Sequence, residues 1–303
     1  MEKACRQFLW GSGENSRMIF FSWAKACRRR KQGGFDIKEI LSWNKTLMLK
    51  MFWNYIHHCT SIWMIWSREY IFQNHSCWDL TPTDCSSFIW QRILGVRDNF
   101  VLKLSSQDAA QLLFQNWHQQ GKFPLNEVYD IFHGTSHGLR WMKPLLDSIV
   151  VPKHAFIATL AAHHSLATVD KVCQRGMLLV NRCTLCYAAA ETSLHLFFEC
   201  PFSTALMHGL LAWQGVTRRV LSLKHELYKL ALNRTRKVRR KLACCALAAV
   251  IYVIWQERNC RIFMGARRSV AQLINLVKYC VCLRMYSWRH GLENDQLLSL
   301  LLD

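Results

Sequence analysis

Cys183-Thr184-Leu185-Cys186, then Glu191-Thr192, then His195-Leu196-Phe197-Phe198-Glu199-Cys200, is the stretch on which the reading of this 303-residue chain turns. Cys183, Cys186, His195 and Cys200 follow the pattern C-x2-C-x8-H-x4-C within 18 residues. Two residues between cysteines make a tight turn that aims both sulfurs at one point, and His195 with Cys200 completes a tetrahedron. Three thiolates and one imidazole leave no position for water. Such a set holds one structural Zn2+ ion and organises a fold; a catalytic zinc keeps a position open. In a cysteine-rich chain the same four residues can be buried side chains and nothing more, but the complete ligand spacing favours the metal. Pro201 fits the first turn of a helix, Phe202 to Trp213, which places Cys200 at a helix N-terminus, where free amides and the dipole favour a thiolate. Leu194, Leu196, Phe197 and Phe198 are expected to pack on neighbouring helices and fix the imidazole.

Working outward, 51% hydrophobic residues suffice for a core, and only 5 Pro and 13 Gly favour long helices over a turn-rich sheet protein. The expected class is mainly α, with helical segments around a small zinc-knuckle-like module and little or no sheet. Residues 1–72 read as a helical unit with a basic turn, Arg28-Arg29-Arg30-Lys31, a break at Gly33-Gly34, and a capping box from Asp36 to Glu39. Its tryptophans are expected in the core. Residues 73–125 read as a linker or irregular segment: a loop from Asn74 to Ser87, a short helix over Phe88–Leu94, and a strand over Phe100–Leu104. Residues 126–215 form the metal-bearing unit. Within it the sequence predicts a helix near Asn126, another from Trp141 to Ser148, one from Pro152 to about His163, and one from Thr168 to Gly176. Residues 219–303 read as two or three long helices. The uncharged run from Leu242 to Gln256 is 15 residues, short of the roughly 17–25 that cross a bilayer, and predicts a buried core helix and no membrane partner.

The N-terminus shows no apolar leader, so reduced thiols are expected. The 11 cysteines outside the cluster, among them Cys244-Cys245 and Cys280-Val281-Cys282, read as small buried hydrophobes. The formal charge is +19, and it is unevenly placed. Residues 216–268 hold 14 Lys/Arg against 2 Asp/Glu, whereas residues 73–150 hold 6 against 7. A concentrated positive field attracts polyanions. Arg234, Arg236, Lys237, Arg239, Arg240 and Lys241 lie in one helical run and are the candidate phosphate-contacting residues for RNA or DNA. A solvated basic helix is the plainer alternative.

The residues also resemble a known family. Val151-Pro152-Lys153-His154-Ala155-Phe156, Leu160-Ala161, Leu166-Ala167-Thr168 and Gly176 lead into the Cys/His stretch. Together they resemble the zinc-binding domain of reverse transcriptases from plant non-LTR (LINE-type) retrotransposons. Trp255-Gln256-Glu257-Arg258-Asn259-Cys260-Arg261-Ile262-Phe263 is similar to a segment often found downstream. Phe8-Leu9-Trp10-Gly11, Trp23, Cys27, Gly33-Gly34-Phe35-Asp36-Ile37 and Asn44-Lys45-Thr46-Leu47 resemble the region after the polymerase core. Thr159 and Ser165 depart from the family's usual Trp and Arg. By this resemblance residues 1–72 are a thumb or connection region, 126–215 the zinc-binding domain and 216–303 a basic helical extension. The chain has no Asp-Asp pair and no recognisable endonuclease or ribonuclease H acidic set. It is therefore expected to be a non-catalytic fragment that contacts nucleic-acid backbone and takes no small-molecule substrate. The competing expectation is a zinc-stapled helical scaffold for protein interaction.

Overall fold

A computed structural model describes residues 3–5, 21–57, 61–73, 75–83, 85, 87–134, 137–232 and 237–289. In chain order the helices are α1 (Trp23–Ala26), α2 (Ile40–His57), α3 (Ile62–Ser67), α4 (Phe88–Leu104), α5 (Gln107–Gln119), α6 (Leu125–His133), α7 (Pro152–Ala162), α8 (Val169–Gln174), α9 (Pro201–Trp213), α10 (Leu223–Leu232), α11 (Lys237–Phe263) and α12 (Val270–Arg289). Among the described residues there is no strand, and no helix is long and apolar enough to cross a membrane. The mainly-α expectation holds.

The chain divides into two compact units. In the first, around Ile37–His137, α2 packs on α4 and α6, and α4 packs on α5. Its centre is aromatic: Phe52, Trp53, Trp90, Phe100, Phe114 and Trp117 are buried together. Two of the tryptophan ring nitrogens in this core have acceptors, Trp53 Nε1 donating to Phe114 O at 3.2 Å and Trp90 Nε1 to Ser67 Oγ at 2.9 Å. A buried tryptophan is more stable where its N–H finds an acceptor.

Two expectations fail in this unit. Phe100–Leu104 is the end of α4, not a strand, because Trp90, Ile93, Leu94, Arg97 and Phe100 recur at helical spacing and all face inward. Residues 88–119 are two packed helices, not a linker, the second started by Ser106, whose Oγ accepts from Ala109 N. The loop before them is fixed by a buried arginine. Arg97 donates to Cys77 O at 2.5 Å, Leu80 O at 2.8 Å and Asp98 Oδ1 at 2.6 Å. The capping box at Asp36, a residue of the second unit, also fails: α2 begins at Ile40, and Asp36 takes a left-handed φ of 60° with its carboxylate 3.9 Å from Arg29.

The second unit is built on residues from Gly138 onward, with 21–36. Here α11 is the central element. It lies against α7, α9 and α12, and α10 packs on a 3-10 turn, Arg140–Leu146. The run Leu242 to Ile254 is buried at most positions, as expected. Alanines at 246, 248 and 249 make this helix thin enough for close neighbours. Burial pushes the Cys244 and Cys245 thiols up to about 12, in keeping with small apolar fillers. Prolines at N1 start α7 and α9 where the sequence places them.

Candidate metal centre

Sulfur and nitrogen atoms of Cys183, Cys186, His195 and Cys200 all lie within 4.8 Å of one another. Cys183 Sγ is 4.0 Å from Cys200 Sγ, and Cys186 Sγ is 3.3 Å from His195 Nε2. Around a tetrahedral zinc with ordinary bond lengths, S···S is about 3.8 Å and S···N about 3.5 Å. These two separations are close to the tetrahedral values, and the other donor pairs, all within 4.8 Å, need at most about 1 Å of closure around such an ion.

Local backbone explains how four residues converge. The amide of Cys183 donates to Ala189 O at 2.8 Å, and that of Tyr187 to Cys183 O at 2.8 Å. The turn closes through a left-handed Tyr187, φ 59°. His195 and Cys200 are five residues apart, which in an α-helix sets side chains about 140° apart around the axis. Here His195–Glu199 is a π turn, closed by the Cys200 amide on His195 O at 2.7 Å. One extra residue per turn returns Cys200 to the side of His195. Cys200 is the N-cap of α9. The Cys183 thiol donates toward it; that bond, with the Ser203 and Phe202 amides and against burial, lowers the Cys200 pKa. The same contact and burial raise that of Cys183. A proton shared this way is what a bound cation displaces.

Behind the ligands stands a layer of buried ion pairs from α11. Arg261 Nη1 donates to Leu185 O at 3.0 Å and Thr184 O at 3.4 Å, the two carbonyls between the first cysteines. Its Nε is held by Glu257 at 2.8 Å, and Glu257 also takes Arg268 Nε at 2.8 Å and the Arg268 amide at 2.9 Å. Burial works against the charged form of Glu257, but these donors outweigh it and hold the carboxyl below its usual range. Glu191, fully buried, accepts from Arg258 Nη2 at 2.8 Å and from the Val169 amide at 3.0 Å. Glu191-Thr192 and Glu257-Arg258-Asn259-Cys260-Arg261 were legible only as resemblance. Their physical role, a carboxylate in one segment answering an arginine in the other, needs the structure.

The basic residues fare differently. Arg234 and Arg236 lie outside the described residues, as does the side chain of Lys237. Arg239 is exposed and Arg240 half-buried. Lys241 does not fit a phosphate-contacting role: it is buried, its Nζ is 2.6 Å from Asp147 Oδ1, and it lies 4.6 Å from the Trp288 ring centre. Within 216–268, Arg218, Lys229, Lys241, Arg258, Arg261 and Arg268 are all in ion pairs, so part of the local positive charge is internal structure.

Residues 123–206 match the family model described as zinc-binding in reverse transcriptase, and the match includes the whole Cys3His group. Among curated proteins, the chain is similar to a putative ribonuclease H protein of Arabidopsis thaliana, 30% identical over 103 residues. Those residues are 32% of this chain and 16% of that protein, so the chain spans a small part of its relative's length. No solved structure matches. The family match and the plant relative agree with the resemblance read from the sequence and support a retrotransposon-derived region.

Proposed function

We propose that this chain is a non-catalytic, reverse-transcriptase-type fragment of a LINE-like retrotransposon. Its Cys3His site holds one structural zinc ion, and the surrounding helices contact the phosphate backbone of RNA or DNA. The observation that carries the reading is the closed donor set: three sulfurs and one imidazole nitrogen within 4.8 Å. Thiolates select zinc over hard cations such as Mg2+. Four protein ligands leave no position for a water nucleophile, which supports a staple over a reaction centre. The uneven +19 charge supports the nucleic-acid half of the reading.

Metal analysis of reduced protein tests the first half. One equivalent of zinc, lost in Cys186→Ser, is expected; metal-free wild-type protein overturns it. Titration of RNA and DNA oligonucleotides between about 50 and 200 mM salt tests the second, with affinity falling steeply as counterion release requires. Affinity indifferent to salt refutes it. One observation favours the scaffold reading instead: residues 177–180, Met-Leu-Leu-Val, are all exposed, Leu179 fully.

A further inference from the structure

The basic turn Arg28–Lys31 plays no part in the metal centre. Its last residue, Lys31, is tied by its carbonyl to the Leu139 amide at 2.7 Å. That bond brings it to Arg140 and Lys143 on the 3-10 turn, and α11 contributes Arg240 from the other side. The four cations line one cleft of about 530 Å³, inside the roughly 300–1,000 Å³ range of ligand sites. They come from three segments far apart in sequence. Among the described residues none of the four is in an ion pair, and Lys31, Arg140 and Lys143 are exposed. The one carboxylate on the wall, Asp147, is engaged by Lys241 Nζ at 2.6 Å and the Ile149 amide at 3.2 Å and also feels the Arg240 charge, so one negative charge faces four lining cations and Lys241. Leu139, Pro144, Leu230 and Ala231 supply apolar surface between the charges.

Like charges that outnumber the counter-charge beside them repel, and an anion between them relieves the repulsion. Two arginine forks and two ammonium groups match phosphate oxygens, and the apolar surface matches sugar and base faces. We infer that Lys31, Arg140, Lys143 and Arg240 form a single cleft that grips the phosphodiester backbone of a nucleic-acid strand. The inference rests on the nucleic-acid half of the function proposed above. It keeps Arg240 from the 234–241 run and joins it to Lys31, Arg140 and Lys143, residues that the sequence does not connect to it.

The test uses the full chain and a fluorescent single-stranded RNA and a duplex DNA, titrated at two salt concentrations. Arg140→Glu with Lys143→Glu is compared with a charge-matched pair on the other unit, Lys45→Glu with Lys103→Glu. The cleft pair is expected to weaken binding at least tenfold. It should also flatten the salt slope by about 1.4–1.8, the equivalent of two phosphate contacts. The matched pair should change binding less than the cleft pair by a clear margin, and Arg140→Lys with Lys143→Arg should retain it. Equal effects of the two reversed pairs overturn the cleft and leave the nucleic-acid reading standing. A wild-type chain that binds neither strand at low salt overturns both. Full displacement of the strand by inorganic phosphate, with chloride matched for ionic strength, marks a free-anion site and overturns the cleft as a strand site. Hydrogen exchange on wild-type protein needs no substitution: protection at 138–143 with the strand bound supports the cleft, and protection confined elsewhere refutes it.

Discussion

The two units are held together by different physics. In the first, buried aromatics at 52, 90, 100, 114 and 117 form one cluster, and Arg97 is its one buried charge among the described residues. In the second, Glu191, Glu226, Glu257, Arg258 and Lys241 are all buried, and four sulfur and nitrogen atoms that could hold a metal ion converge beside α11. Dispersion and hydrophobic transfer are non-directional, so an aromatic core tolerates changes that keep volume. A ligand set and a paired ion are directional, and removal of one member strands the rest. Substitutions of equal size should therefore be mild in one unit and severe in the other.

Metal removal sharpens this contrast most. Chelation, or Cys183→Ser, is expected to remove on the order of 10 kcal/mol of binding free energy from the second unit. Amide protection at 181–213 should collapse while that at 88–119 is kept; unchanged protection at 181–213 would break the comparison. Next comes Glu191→Gln, nearly isosteric, which leaves Arg258 charged, buried and unpaired at a cost of about 3–5 kcal/mol. Denaturant melts should show it, and the Glu191→Met, Arg258→Met double variant should recover much of the loss.

Acid titration gives a smaller effect. His154 is buried against Tyr252, with ring centres 4.5 Å apart and no hydrogen-bond partner for Nδ1. Burial, helped by Lys153, pushes its pKa down to about 4. The unfolded chain therefore takes up the proton first. Stability contributed by the neutral ring is full above about pH 6.5 and is lost as pH falls towards 4, at most about 3 kcal/mol. The difference in stability between wild type and His154→Phe, followed from pH 7.5 to 4, isolates this term; a difference independent of pH counts against it. The carboxyls of Asp147 and Glu257, both held below their ordinary values, lose their contribution only at lower pH, as it falls through those depressed values. Smallest is Phe114→Leu in the aromatic core, expected to cost about 1 kcal/mol if that core repacks. A loss as large as that of Glu191→Gln would erase the distinction between the units.

What the sequence made legible follows the same division of forces. Ligand spacing and Pro201 are local signals, and Cys183, Cys186, His195 and Cys200 meet where they were expected. Pro152 and the Leu242–Gln256 run likewise predicted their helices. Signals that depend on a distant partner were not legible. Lys241 reads as a surface cation until Asp147, 94 residues earlier, is beside it. Arg261 reads as one more positive charge until its guanidinium meets Leu185 O, 76 residues away. The Phe100–Leu104 strand was a short-window error: Phe-Val in isolation favours a strand, whereas the period from Trp90 onward is helical.

The clamp from α11 sets how small a working piece of this protein can be. A polypeptide trimmed to the family-matched residues 123–206 would keep every donor atom for the ion. It would nonetheless strip Glu191 of its guanidinium and leave the Thr184 and Leu185 carbonyls uncapped. Excision for expression or grafting must therefore carry the chain through Arg268, whose amide and side chain fasten Glu257.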